Sequence, residues 1–179
     1  VTAASKISMF IVCPFDSMGA TMATYGGQNA GGYKLDRLHK GLRSCILLGA
    51  VYSVIGLLII VAFGPHLLKL FVSGSETQIL ADAQHFLLIN GLFYFPLALV
   101  NIVRFMIQGM GFGFFAIIAG VLEMAARTLV GAVFVPIFGY NAACFASPLA
   151  WIFADCFLIP AYFVVWNRMK RHQEAYKQV

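Results

Sequence analysis

Charged side chains are scarce in this chain of 179 residues, because Asp, Glu, Lys and Arg together make up only 11% of it. Hydrophobic residues make up 61%. Soluble globular domains carry about 25% charged residues, so this composition excludes an ordinary soluble domain. The net charge of +5 is modest and indicates attraction to anionic lipid, not a nucleic-acid surface. We therefore expect a lipid bilayer as the surroundings and no nucleic acid as a partner.

The sequence also lacks the motifs of metal and covalent chemistry. It has no HExxH, no Ser/Lys pair, no paired-Asp motif and no cluster of histidines. The four cysteines form no CxxC pattern and all lie in apolar segments: Cys13, Cys45, Cys144 and Cys156. Such cysteines are typical of small buried hydrophobic residues. We predict that the protein is not an enzyme, that it has no catalytic residue, and that it holds no resident cofactor.

Five apolar segments are long enough to cross a bilayer, since a spanning helix needs about 20 mostly apolar residues. They are residues 7–30, 44–65, 85–106, 114–138 and 141–166. Apolar and polar residues do not alternate within them as they would in the strands of a membrane barrel. The sequence therefore predicts an all-α, polytopic membrane bundle over residues 1–166, followed by a basic tail over residues 167–179.

The charge of the connections predicts the topology. The connection at 33–43 has four basic residues and one acidic residue, whereas that at 67–82 has Lys69 against Glu76 and Asp82. By the positive-inside rule the first connection is cytoplasmic. The C-terminal tail, which is rich in Lys and Arg, is then cytoplasmic as well. We expect a multi-pass protein of the plasma or inner membrane.

Asp155 is the only formally charged residue between Thr128 and Asn167. A charged side chain at that depth costs about 2.5–3.5 kcal/mol on insertion scales, and such residues are usually functional. Trp151 lies one helical turn away, and an indole face beside a carboxylate is a plausible receptor for an organic cation. We predict that Asp155 binds a coupling ion and that Trp151 lines a substrate cavity.

Glu123 and Arg127 are spaced four residues apart in the fourth segment, on a stripe of small residues. Such a pair can neutralise its own charges within one helix. A structural ion pair and an ion-coupling carboxylate tuned by Arg127 are equally compatible with this spacing. We therefore keep Glu123 as a second ion-coupling candidate, with Arg127 as its charge partner.

Polar residues recur along the third segment. If that segment is one helix, bent near Pro96, they fall in one arc: Asn90, Tyr94, Asn101, Arg104 and Gln108. The arc indicates a wet cavity, with Asn90, Tyr94 and Asn101 as candidate substrate ligands, although hydrogen bonds between helices are the alternative. Arg104 is near the inner end, where its guanidinium can extend to the headgroups.

Asp16 lies among small residues in the first segment and is a third ion-coupling candidate, with a helix cap as the structural alternative. A sodium ion could bind at Asp155 or Asp16. Gly27 and Gly31 form a GxxxG pattern of the kind found where helices pack closely. Gly109 and Gly111, in the segment QGMGFGF, indicate a tight turn between helices.

Three stretches of the chain resemble one known family. They are SMGATMATYGGQNAGG with the basic loop after it, RFMIQGMGFG entering LEMAARTLVGAVFVPIFG, and NAACFASPLAWIFADCFLIPAYF. Together they look like the C-terminal lobe of a multidrug and toxic compound extrusion (MATE) transporter. The resemblance implies helices eight to twelve of twelve, so the N-terminal lobe and the first helix of this lobe would be missing partners in a longer parent chain.

The resemblance further implies a secondary active antiporter that exports cationic, amphipathic drugs in exchange for sodium ions or protons, by alternating access. Some family members carry a carboxylate on the tenth helix, where this chain has Asn90, Asn101 and Arg104 instead. Two alternatives remain open: a flippase for lipid-linked oligosaccharides from the same broad superfamily, and a membrane scaffold without transport activity.

Overall fold

The computed structural model describes residues 2–70 and 77–177, and the side chains of residues 4–70 and 77–174. Glu76, one of the two acidic residues named in the connection at 67–82, lies outside the described residues. The described chain is helical: α1 (Thr2–Gly31), α2 (Leu35–Lys69), α3 (Thr77–Leu92), α4 (Tyr94–Gly109), α5 (Gly113–Leu129), a π-helical turn (Val130–Phe134), α6 (Val135–Phe138) and α7 (Tyr140–Lys177). The prediction of an all-α bundle is confirmed.

Four stretches of helix in the described residues are long and apolar enough to cross a membrane by themselves: Ala4–Gly31, Leu35–Lys69, Gly113–Phe138 and Tyr140–Glu174. The pair α3 and α4 makes a fifth if it is counted as one broken span. This pair is bent by 52°.

The third predicted span is bent near Pro96, as expected, but its helix is broken there into α3 and α4. The chain leaves the helix at Phe93, and Pro96 lies in the first turn of α4. A proline is tolerated there because the first-turn N–H groups have no partner within the helix. The break therefore precedes the proline.

The long helix α2 shows why the helices pack as they do. Its buried residues recur every three or four positions and form one stripe: Leu35, Leu38, Leu42, Cys45, Gly49, Ser53, Gly56, Ile60, Gly64 and Leu68. Large apolar side chains such as Leu47, Val51 and Leu58 lie exposed on the remaining surface. In a lipid solvent this arrangement is expected, because burial between helices is governed by close packing and not by polarity.

Helix α4 is central and contacts α1, α2, α5 and α7. Its closest approach is to α1. A Cβ atom at Gly109 would overlap the backbone of Ala23, and one at Gly19 would lie 2.8 Å from the ring of Phe105. Gly27 also belongs to this contact, because its Cβ would lie 3.1 Å from the carbonyl oxygen of Gly109. The glycines allow the two backbones to touch.

The other two glycines singled out in the sequence have different roles. Gly31 has no heavy atom within 4 Å of its Cβ position, so the second half of the GxxxG pattern makes no packing contact in the described structure. Gly111 lies in the turn between α4 and α5 with φ of 93°, a conformation that favours glycine.

We expect Gly109→Ala to destabilise the protein by about 1–3 kcal/mol, because the new methyl group would collide with backbone atoms that cannot rotate away. Gly120→Ala is the matched control, since that glycine has open space around its Cβ position. Thermal unfolding of both variants of the intact protein in detergent measures the difference. Equal melting temperatures would contradict the close contact.

The fourth predicted span is helical but irregular. Its buried residues are Ala119 and Ala126 in α5 and Val130 in the π-helical turn, whereas Arg127 is exposed. The packing face is therefore rotated away from the predicted stripe of small residues. Glu123 lies between the buried alanines at the edge of this face.

Sidedness can be measured at the ends of α2 and α3. We expect a cysteine at Lys40 to be protected from a membrane-impermeant thiol reagent in intact cells and one at Thr77 to react, once the native cysteines are replaced. Both positions are exposed, whereas the neighbouring Leu38 is fully buried and unsuited to labelling. Labelling with the opposite pattern would reverse the predicted topology.

Candidate functional site

Glu123 is held by two arginines. Its carboxylate accepts a hydrogen bond from Arg127 at 2.5 Å within α5, and another from Arg104 of α4, also at 2.5 Å. The side chains of Arg104 and Glu123 are 21% and 15% exposed, whereas that of Arg127 is 48% exposed. The Arg104 contact therefore lies deeper in the bundle than the pair predicted from sequence.

The expectation that Arg104 extends to the headgroups was wrong. The turn between α4 and α5 makes these helices antiparallel neighbours, so that a long side chain five residues before the end of α4 reaches across to α5. An anion at membrane depth attracts such a cation more strongly than it would in water, because the surroundings have a low dielectric constant. The short turn QGMG was the signal in the sequence that these two helices pair.

Asp155 of α7 interacts electrostatically with this ion pair. The residue is 7% exposed, and its Oδ1 atom is buried without a hydrogen-bond partner among the described residues. The positive charge of Arg104 and the negative charge of Glu123 both act on it. The Nε atom of Arg104 is likewise buried without a partner.

We call Arg104, Glu123, Arg127 and Asp155 the charge cluster. It joins α4, α5 and α7, and with every member ionised its charges cancel. A buried carboxylate oxygen without a donor is costly and requires a physical explanation. Binding of a cation at Asp155 would supply one.

The predicted substrate ligands lie in packing contacts. Trp151 is 6% exposed and belongs to the hydrophobic core. Tyr94 is fully buried, with its ring 5.9 Å from that of Phe15. Asn90 donates its side-chain amide to the carbonyl oxygens of Phe86 at 2.9 Å and Cys144 at 3.5 Å.

These contacts favour the alternative of hydrogen bonding between helices over an open cavity for Asn90. The arc drawn through the third segment assumed one regular helix, and the 52° bend at Phe93 separates Asn90 from the residues of α4. Asn101 lies in α4 and is 9% exposed.

Asp16 lies on α1, which contributes no residue to the charge cluster. It lies on the exposed side of α1, whereas Gly19 and Met22 on the same helix are buried. Ser17, Thr21 and Thr24 share that exposed side, and each hydroxyl donates to a carbonyl oxygen of its own helix. Within the described residues, no group of three or more His, Cys, Asp or Glu side chains is arranged to hold a metal ion. A sodium site at Asp155 or Asp16 would need backbone carbonyl, amide or hydroxyl oxygens as additional ligands.

A bundle of long apolar helices with a glycine-lined helix contact and charged side chains between helices indicates a polytopic membrane protein. Comparison with known proteins identifies the family. The family model MatE matches residues 1–137, and the chain belongs to this family of membrane transporters.

A solved structure has the same fold. It is described as the inward-facing conformation of a multidrug resistance MATE family transporter of the MOP superfamily. The likeness has a TM-score of 0.75 at 18% sequence identity and covers 96% of this chain. It covers 39% of that transporter, so the chain spans well under half of its length. A search of curated proteins gave no match.

Proposed function

We propose that the chain is part of a cation-coupled antiporter that exports cationic, amphipathic, drug-like compounds, and that the charge cluster takes up the coupling cation. The observation that carries the proposal is the buried oxygen of Asp155, which has no hydrogen-bond partner among the described residues although the charge of Arg104 acts on this carboxylate. A proton or a sodium ion is the simplest occupant of such a position.

Arg104 links uptake of the ion to the packing of the helices. With Asp155 ionised, the guanidinium is attracted both to Glu123 on α5 and to Asp155 on α7. Once a cation neutralises Asp155, only Glu123 continues to attract it. The relative stability of two arrangements of α4, α5 and α7 then depends on ion occupancy, as alternating access requires.

The charge state of Asp155 would also change the affinity for the exported compound. A cationic drug binds less favourably near a neutralised carboxylate than near an ionised one, and this competition couples the two fluxes. Asp16, on the exposed side of α1, provides a second acidic position for either cation. We further propose that the protein lies in the plasma or inner membrane with its C-terminus in the cytoplasm.

A flippase for lipid-linked oligosaccharides would require basic side chains that are free to bind a pyrophosphate. Arg104 and Arg127 are both engaged with Glu123, which favours the antiporter over the flippase. A scaffold without transport activity would have no need of a buried carboxylate oxygen without a donor.

The direct test is flux through the intact transporter in proteoliposomes. With an inward gradient of protons or sodium ions, we expect efflux of a cationic dye such as ethidium, and collapse of the gradient should stop it. Movement of a lipid-linked oligosaccharide without dye efflux would favour the flippase. Absence of any flux would favour the scaffold.

A further inference from the structure

Helix α7 continues well past the predicted end of its membrane span. The apolar stretch ends at Trp166, whereas the helix ends at Lys177. The extension is held to the rest of the bundle, since the side chain of Gln173 donates a hydrogen bond to the carbonyl oxygen of Tyr33 at 2.6 Å. Placing the charged residues that follow Trp166 in hydrocarbon would cost free energy. We therefore expect the extension to begin at the level of the lipid headgroups.

One face of this extension forms a basic groove of about 650 Å³, lined by Val164, Asn167, Arg168, Arg171 and His172. We call it the α7 groove. None of these lining residues is acidic. The guanidinium of Arg168 is positioned 5.6 Å from the ring centre of Phe112, in the turn between α4 and α5.

The opposite face of the same helix differs in charge. Lys170 lines a second cavity, of about 580 Å³, together with two acids, Asp36 and Glu174, and two further bases, Lys34 and Arg37. Basic and acidic side chains are therefore mixed around Lys170, whereas the residues that line the α7 groove include two arginines and no acid. Lys170 and Arg171 are thus neighbours in one turn of α7 but lie in different electrostatic surroundings.

We infer that the α7 groove binds the headgroup of an anionic phospholipid. Its two arginines match the oxygen atoms of a phosphodiester, because guanidinium groups recognise phosphate through paired hydrogen bonds. Val164 lies one turn toward the apolar part of the helix and is 57% exposed, in position to contact the first methylene groups of an acyl chain. This combination of a basic rim and an apolar wall fits a lipid better than a free ion. The inference does not depend on which compound the transporter exports.

The test measures binding of dioctanoyl phosphatidylglycerol to the intact transporter in detergent by native mass spectrometry, with dioctanoyl phosphatidylcholine as the neutral reference. Each basic residue near an anionic lipid contributes enough to change affinity by about fivefold. We therefore expect about fivefold weaker binding for Arg171→Gln and about 25-fold weaker binding for Arg168→Gln combined with Arg171→Gln.

Lys170→Gln is the matched control, since it removes the same charge from the same turn and should change the affinity by less than about twofold. Arg171→Gln decides the outcome if the double variant does not fold, because Arg171 is exposed. Equal weakening by Lys170→Gln and Arg171→Gln would overturn the inference, since it would show attraction to overall charge. Unchanged binding in Arg171→Gln would overturn it as well. Displacement of the lipid by equimolar inorganic phosphate would instead identify a site for free anions and also contradict it.

Discussion

Asp155→Asn in the intact transporter should lower cation-coupled efflux by at least about tenfold while leaving membrane insertion normal. Asparagine keeps the size of the side chain but removes the charge that would bind the coupling ion. A loss of only about 1.4 kcal/mol in ion binding already reduces the affinity tenfold. Efflux of a cationic dye from proteoliposomes under a fixed ion gradient measures the effect.

Asp36→Asn is the control for Asp155→Asn. Asp36 is an exposed acid in the first turn of α2, outside the charge cluster. Its substitution removes one negative charge from the protein without affecting a buried site, so efflux should stay near the unmodified rate. Undiminished efflux in Asp155→Asn would assign Asp155 a structural role.

Glu123→Gln should reduce stability by about 3–5 kcal/mol, because it leaves Arg104 and Arg127 close together without their shared anion. Combining it with Arg104→Met should recover much of the loss, since the more buried of the two cations is then removed as well. Arg127→Gln alone should cost less than Arg104→Gln, because the Arg127 side chain is 48% exposed and the Arg104 side chain is 21% exposed.

Thermal unfolding and the amount of protein in the membrane measure this series. The order expected from least to most stable is Glu123→Gln, then the double variant, then the unmodified protein. If Glu123→Gln instead accumulates normally and transports poorly, the carboxylate acts in ion coupling and contributes little to folding.

The sequence predicted the features that depend on the length of an apolar segment or on a single charge within such a segment. Apolar segments of sufficient length predicted the bundle, and the helices confirm that it is all-α. Asp155 and Glu123 stood out because charges are rare in such segments. Contacts between segments were harder to predict, because the spacing of residues within one helix says nothing about which neighbour it faces.

Arg104 illustrates this limit. Its partner lies 19 positions away on another helix, and only the packing of α4 against α5 brings them together. The arc through Asn90, Tyr94 and Asn101 is interrupted for a related reason. It assumed regular helical geometry across Phe93, where the chain in fact changes direction by 52°.

The contact at Gly109 has a mechanical consequence. Because the backbones of α1 and α4 touch there, we expect these two helices to move together. Helices α5 and α7 pack on each other, and α4 contacts both of them. The charge cluster lies where α4 meets α5 and α7, and an ionic contact can rearrange over a longer distance than a backbone contact can. A motion of α4 against α5 and α7 would therefore change the contacts of the charge cluster, and a bound ion that changes these charges would change the energy of that motion.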